Sequence, residues 1–306
     1  MTAAERQLND ANLPIAELPA TAWLWRFVQR AWNEDRTAVI GVAVLIIWLL
    51  IALTAPYWVP YSATAQDVGH RLQGPSRSHL MGTDSLGRDV FSRTLLGSRV
   101  SLPVAVIAIL VAGVAGSALG AIAGFAGGVL DEAIMRLCDV TLAFPAIVLA
   151  MAITASLGTS LTNAMIAIVA VWWPLYARLM RGQVLTILPR DHVLGARAVG
   201  AGEFRVMWQH VLPLAMSPVL VQATMDFGSI VLLTAGLSFI GLGAVPPSPE
   251  WGAMISDGRQ QFYSWWIATA PGVSILTVVL ACNFLGDGML DLLDPRRRTF
   301  RGRATQ

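Results

Sequence analysis

The chain has 306 residues, of which 55% are hydrophobic and only 13% charged, with a formal net charge of +2 and a mean hydropathy of +0.61. A water-soluble domain of this size carries about 25% charged residues, so the bulk of the chain reads as one domain solvated by lipid. The small net charge gives no case for nucleic-acid binding.

All 21 basic residues are arginine. That excludes a P-loop, whose turn needs a lysine to reach the phosphates; if ATP drives this protein, another chain binds it. Cys138 and Cys282 lie in apolar runs without a CxxC partner or a nearby histidine. They read as small buried hydrophobes, and no metal-ligand set is expected.

A hydrocarbon core about 30 Å thick needs roughly 20 apolar residues as helix. Residues 1–36 read as a cytoplasmic tail with an amphipathic lead-in, without the basic and apolar regions of a cleavable signal peptide. Residues 37–58 form the first expected transmembrane helix, and 59–98 an extracytoplasmic loop. Within that loop Ser85–Leu96 is expected as an amphipathic helix, with Leu86, Val90 and Thr94 on one face and Arg88, Asp89 and Arg93 toward water. Lying in the interface and touching an external partner are both open to it.

Residues 99–292 are expected to hold five further helices. One starts near Ser101; two share the run Val140–Ala177, broken by the small polar turn at 156–163; the last two cover about Leu214–Leu242 and Trp265–Leu285. Residues 293–306 read as a basic tail. Six spans put both termini on one side. Arginine is denser in the N-terminal segment (Arg6, Arg26, Arg30, Arg36), after the fourth span (Arg178, Arg181, Arg190, Arg197, Arg205) and in the tail (Arg296 to Arg303) than on the opposite face. The positive-inside rule therefore makes both termini and the segment 189–213 cytoplasmic.

Gly116, Gly120 and Gly124 repeat at GxxxG spacing, which lets helix backbones approach closely, either inside the bundle or at a dimer face. Pro145, Pro174 and Pro271 fall inside expected spans, where kinks free carbonyls that a water-lined path can satisfy. Arg136 and Asp139 are spaced to pair on one helix face. Trp172, Trp173, Asp226 and Ser229 are candidates for lining a path, with helix packing as the alternative for the tryptophans. Trp251, Tyr263, Trp265 and Trp266 are expected in an aromatic belt at the outer boundary.

The segment 189–213 interrupts the apolar pattern with DHVLGARAVGAGEFRVMWQHVLP. Asp191 is expected to cap a helix His192–Val199, Gly200 to close it in the left-handed conformation, and Pro213 to start the next span. A helix of about 12 Å is too short to stand alone, so it makes sense in a partner's groove.

The segment resembles the EAA loop of ABC-importer permeases, with the register Leu194-Gly195-Ala196, Gly200, His210 and Leu212-Pro213. Leu194, Gly195 and His210 depart from the family's Glu, Ala and Ile. HLMGTDSLGRDVFSR (79–93), MRLCDVTLAFPAIVLA (135–150), GLSFIGLGAVPPSPEWGAMI (236–255) and LGDGMLDLLDPRRR (285–298) narrow the resemblance to C-type permeases of the dipeptide/oligopeptide/nickel group.

The resemblance implies an all-α, six-helix, type I ABC importer permease fold in a bacterial plasma membrane and a non-catalytic role in peptide import. Nickel chelates, glutathione or haem are the alternative cargo. It implies a homologous B-type permease, two ATPase subunits carrying ATP and Mg, and an extracytoplasmic binding protein as partners, with no cofactor on this chain. It assigns ATPase coupling to Asp191, Leu194, Gly195, Ala196, Arg197, Gly200, Glu203, Leu212 and Pro213. Arg197, Glu203 and Arg205 are either rim contacts or simply solvated. Arg88, Asp89 and Trp251 are candidate contacts for the binding protein. An ion-coupled carrier acting through Asp226 is the competing transport reading. An intramembrane enzyme lacks support, since neither HExxH nor GxSxG occurs.

Overall fold

A computed structural model describes residues 36–293. The expectations for the N-terminal tail and the basic C-terminal tail lie outside the described residues. Within them the chain is helical, with one isolated β-bridge between Thr83 and Asp89.

Five helices are long and apolar enough to cross a bilayer: α1 (Arg36–Trp58), α2 (Val90–Ala126), α5 (Leu161–Ile187), α7 (Glu203–Phe239) and α9 (Trp266–Leu293, spanning to Leu290). The pair α3 (Gly128–Leu142) and α4 (Ala146–Leu157), which meet at 90°, passes the same test only jointly, as a broken span or a re-entrant loop, and brings the candidates to at most six. Two short α-helices, α6 (Asp191–Ala198) between α5 and α7 and α8 (Trp251–Arg259) before α9, and a 3-10 turn at Val68–His70 complete the order.

The bend corrects the expectation that Pro145 lies inside a span. Phe144 precedes a proline and is disfavoured in the helical region, and Pro145 itself (φ −56°, ψ 129°) stands as the N-cap of α4. The helical run after α2 therefore begins at Gly128, well before Val140. Pro174 and Pro271 do lie inside helices. The expected Arg136–Asp139 pair does not form. Arg136 reaches back to Glu132 at 3.5 Å, while Asp139 pairs with Arg178 across to α5. Two turns earlier Asp131 takes Arg181 through two bonds of 2.5 and 2.6 Å, so α3 is clipped to α5 by carboxylate–guanidinium contacts.

The core is organised about α2 and α5. A Cβ added at Gly116 would stand 2.2 Å from the Trp173 carbonyl oxygen, and one at Gly120 would stand 2.1 Å from that of Ala177. The repeated glycine spacing is thus used within the chain, with the Tyr176 ring lodged against Gly113 and Gly116. In lipid, apolar burial gives no drive for helices to associate, so close backbone contact must supply it.

Gly120→Ala is expected to destabilise the detergent-solubilised protein by about 1–3 kcal/mol, the range for overpacking a tight core. Gly195→Ala, inside α6 where an added Cβ meets nothing within 4 Å, is expected to cost no stability and to gain up to about 1 kcal/mol. Paired thermal melts check both.

Candidate functional site

α5 ends at Ile187, and Arg190 is extended (φ −75°, ψ 146°) before α6 begins at Asp191. Asp191 is therefore the first helical residue rather than the N-cap, and no side chain caps this end. Its charge still suits the positive end of the helix dipole. Gly200 closes α6 as expected, at φ +87°. Its N–H donates to the Arg197 carbonyl at 2.9 Å, and that of Ala201 to the Ala196 carbonyl at 3.0 Å. This bond pair is the Schellman arrangement, which needs a left-handed residue and favours glycine.

The return into the membrane is a continuous helix. Residues Val206–Val211 are π-helical, with the Leu212 N–H donating to the Met207 carbonyl, before the α-helical run Leu212–Phe239. Pro213 supplies the reason: it has no N–H to give, and its ring clashes with the carbonyl four residues back, so the helix widens ahead of it. The next span thus starts at Glu203, ten residues before Pro213.

Only Val193 of α6 is fully buried, and it joins Val206, Val211, Tyr176, Met180, Val184 and Ile187 in one apolar cluster at the base of the bundle. The elbow is therefore seated on α5 and α7 by its inner face. Its outer face is apolar and uncovered: Val199 is 86% exposed, Phe204 81% and Trp208 62%, with Leu194 also open. The Phe204 and Trp208 rings stack at 6.2 Å and 7°.

At 37 residues, α7 is about 55 Å long, against a hydrocarbon core of about 30 Å. The helix is thus longer than the hydrocarbon core requires, and the aromatic pair sits in its first two turns. Arg197 and Glu203 pair with each other at 2.8 Å, and the Arg197 guanidinium lies over the Phe125 ring at 5.9 Å. Gly195, Gly200, Glu203, Arg205 and Pro213 are exposed, while Ala196 and Leu212 are half-buried. The sequence reading missed Val199, Phe204 and Trp208. Their signal was an aromatic pair at i, i+4 in a polar insert with no span to belong to.

Deeper in the bundle, Trp172 and Asp226 do come together. Gln222 Nε2 donates to Asp226 Oδ1 at 3.0 Å, while Asp226 Oδ2, the Tyr176 hydroxyl and the Trp172 indole nitrogen, close enough to bear on the same carboxyl, are buried without a hydrogen-bond partner among the described residues. Ser229 is exposed and apart. Trp173 packs instead at the α2–α5 seam, its carbonyl against Gly116.

The outer candidates are a correction. Ser85–Asp89 is a turn, α2 starts at Val90 with Asp89 as its cap, and Arg88, Asp89 and Arg93 are each only 2% exposed. Arg88 Nε meets Asp84 at 2.6 Å and its Nη2 meets Asp257 at 3.2 Å. Arg93 Nη1 donates to the Ala63 carbonyl at 2.8 Å. Asp89 Oδ2 accepts from the Ser92 N–H at 2.8 Å, and Oδ1 lies 2.9 Å from His79 Nδ1. Trp251 is fully buried, its indole donating to the Thr94 carbonyl at 2.9 Å and its ring edge-on to Trp48.

These three residues are therefore interior groups rather than a face offered to a partner. The apolar period Leu86–Val90–Thr94 suggested a wet charged face, but Asp257, 169 residues from Arg88, supplies its counter-charge. Burial pushes the Asp257 carboxyl up, and Arg88 and Arg93 pull it back. In the aromatic belt Tyr263 and Trp265 are open, Trp266 is half-buried with its indole on the Thr83 carbonyl, and Trp251 does not take part.

Residues 116–299 match the family model described as binding-protein-dependent transport system inner membrane component. The chain belongs to this family. Residues 24–75 match the N-terminal TM domain of oligopeptide transport permease C, which makes it a C-type ABC importer permease.

Its relatives include the dipeptide transport system permease protein DppC of Alkalihalophilus pseudofirmus, 42% identical over 90% of this chain and 91% of that one. The nickel transport system permease protein NikC of Escherichia coli K12 is 40% identical over 88% and 96%. The glutathione transport system permease protein GsiD of Pectobacterium atrosepticum is 38% identical over 96% and 98%. A chain of the inward-facing MetNI methionine ABC transporter has the same fold (TM-score 0.55, 18% identity, 66% of this chain and 96% of that one). The protein is thus a multi-pass transport component of the bacterial inner membrane that works with ATPase and substrate-binding partners.

Glu250 gives a test of the outer layer. It caps α8 through the Ala253 N–H at 2.8 Å and is wholly buried, and that burial raises its carboxyl above the ordinary range. The protonated form is the one the fold favours. Its contribution is complete below the unfolded value of about 4.3 and is lost as pH rises through the folded one. Glu250→Gln keeps the acceptor and is expected to melt at or above the wild type at pH 7, with a flatter fall between pH 4 and 7. Glu250→Ala loses the cap, about 0.5–2 kcal/mol. Melting curves across that range separate the three proteins.

Proposed function

We propose that this chain imports peptides of the dipeptide and oligopeptide class, pairing with a homologous B-type permease above two ATPase subunits and receiving cargo from an extracytoplasmic binding protein. ATP and Mg belong to the ATPase subunits, and this chain carries neither catalytic residues nor a cofactor. Both termini and the elbow at α6 face the cytoplasm.

The observation that carries this reading is the uncovered apolar face of Val199, Phe204 and Trp208, on an elbow whose other face is seated in the bundle. Stacked aromatics in water are suited to a partner's pocket, and anchors of this kind dominate binding energy. Asp191, Leu194, Gly195, Ala196, Arg197, Gly200, Glu203, Leu212 and Pro213 shape the elbow or rim it. Movement of the ATPase subunits is carried through α6 into α5 and α7 as a rigid-body rotation. Trp172, Asp226 and Ser229 remain the residues proposed to border the path, with Trp173 as packing beside it.

Peptide cargo rests on the names of relatives such as DppC. A second reading, nickel chelates or glutathione, is favoured by the comparable identity to NikC and GsiD. Uptake of labelled dipeptide, glutathione and nickel by the reconstituted assembly distinguishes them; peptide-independent nickel uptake would overturn the first.

Phe204→Ser with Trp208→Ser is expected to abolish co-purification of the ATPase subunits and lower uptake at least tenfold, the scale of losing about 1.4 kcal/mol or more from the interface, with membrane insertion intact. Gly200→Pro, which forces φ from +87° to about −65°, is expected to do the same. Normal uptake by either variant would remove the coupling role.

A further inference from the structure

An open groove of about 690 Å³ lies between the end of α1 and the outer turns of α2. Its walls are Pro56, Val59, Leu96 and Val100, with Tyr61 and Arg99 at the polar side, and none of its lining residues is acidic. Tyr61 is fixed by stacking on His79 at 4.8 Å and by its N–H on Ser92 Oγ at 3.3 Å.

Arg99 is exposed. On the neighbouring turns Arg88 and Arg93 both reach Asp84, but among the described residues no carboxylate pairs with Arg99. Its guanidinium is therefore free to take an anionic ligand at the groove.

Depth narrows the choice. The groove opens within a turn of Trp58, the last residue of α1, whose ring lies 6.4 Å from Phe91 in the first turn of α2. Half-exposed Trp58 and open Tyr57 mark that level as the membrane–water boundary, where amphipathic aromatics settle. An arginine whose stem lies on apolar surface while its head reaches this level is suited to the phosphate of a lipid. The apolar walls fit an acyl chain, which a free phosphate lacks. The wedge would also serve α1, which buries only Gly41, Trp48 and Ala55 against the rest of the chain.

We propose that the groove holds one anionic phospholipid, its phosphodiester on Arg99 and an acyl chain along Val59, Leu96 and Val100, bracing α1 against α2.

The test is native mass spectrometry of the full chain, released from micelles containing equal dioleoylphosphatidylglycerol and dioleoylphosphatidylcholine. The wild type is expected to retain the anionic lipid roughly fivefold over the zwitterionic one, the scale of one basic residue at a membrane surface. Arg99→Gln is expected to fall to parity, Arg99→Lys to keep the preference, and Arg71→Gln, on the outer loop away from the groove, to match the wild type. Retention of the preference in Arg99→Gln, or its absence in the wild type, would overturn the proposal. Neither result bears on cargo or coupling.

Discussion

Backbone contact between α2 and α5 is the constraint from which the rest of this molecule is built. Apolar surface gains little by leaving lipid for another helix, so the bundle depends on van der Waals contact at short range. Gly116 and Gly120 bring the α2 axis against the carbonyls of Trp173 and Ala177. With those helices fixed, Tyr176, Met180, Val184 and Ile187 on one side of α5 form a seam that continues into Val193 of the elbow and Val206 and Val211 of α7. One apolar cluster therefore runs without a break from the middle of α5 to the elbow, and it is this packing that the proposed coupling would use.

The outer end is stabilised by different chemistry. Asp84, Arg88, Arg93 and Asp257 are brought together from the loop, α2 and α8, and Glu250, Trp251 and Trp266 tie the same layer to Ser101, Thr94 and Thr83. Breaking a buried pair leaves an uncompensated charge and is costly even where forming the pair gains little. Such a layer fixes geometry more than it adds stability. It closes one end of the bundle, while the elbow at the other end leaves Val199, Phe204 and Trp208 uncovered.

Much of this was legible in the sequence because the bilayer imposes simple rules. Apolar run lengths gave the spans, arginine density suggested their direction, and the Gly200 and Leu212-Pro213 spacing marked the elbow. What was not legible depended on partners distant in the chain. Arg88 and Asp89 looked like a wet face because Asp257 and His79 are invisible to local periodicity. The role of Gly116 and Gly120 stayed open because spacing says that a neighbour comes close, not which one. The cap at Asp191 was misread by one residue, since an acidic side chain suits both the cap and the first turn. Phe204 and Trp208 were overlooked because exposure is a property of the fold.

The central claim is that elbow and bundle turn as one body. The most direct measurement is the distance between spin labels at His192 on the elbow and Leu80 in the outer loop, both exposed, within one permease of the assembled transporter, with and without ATP. The rigid seam predicts the same distance distribution in both states. A nucleotide-dependent shift in that distance would mean that the elbow moves on its own, and would contradict the account.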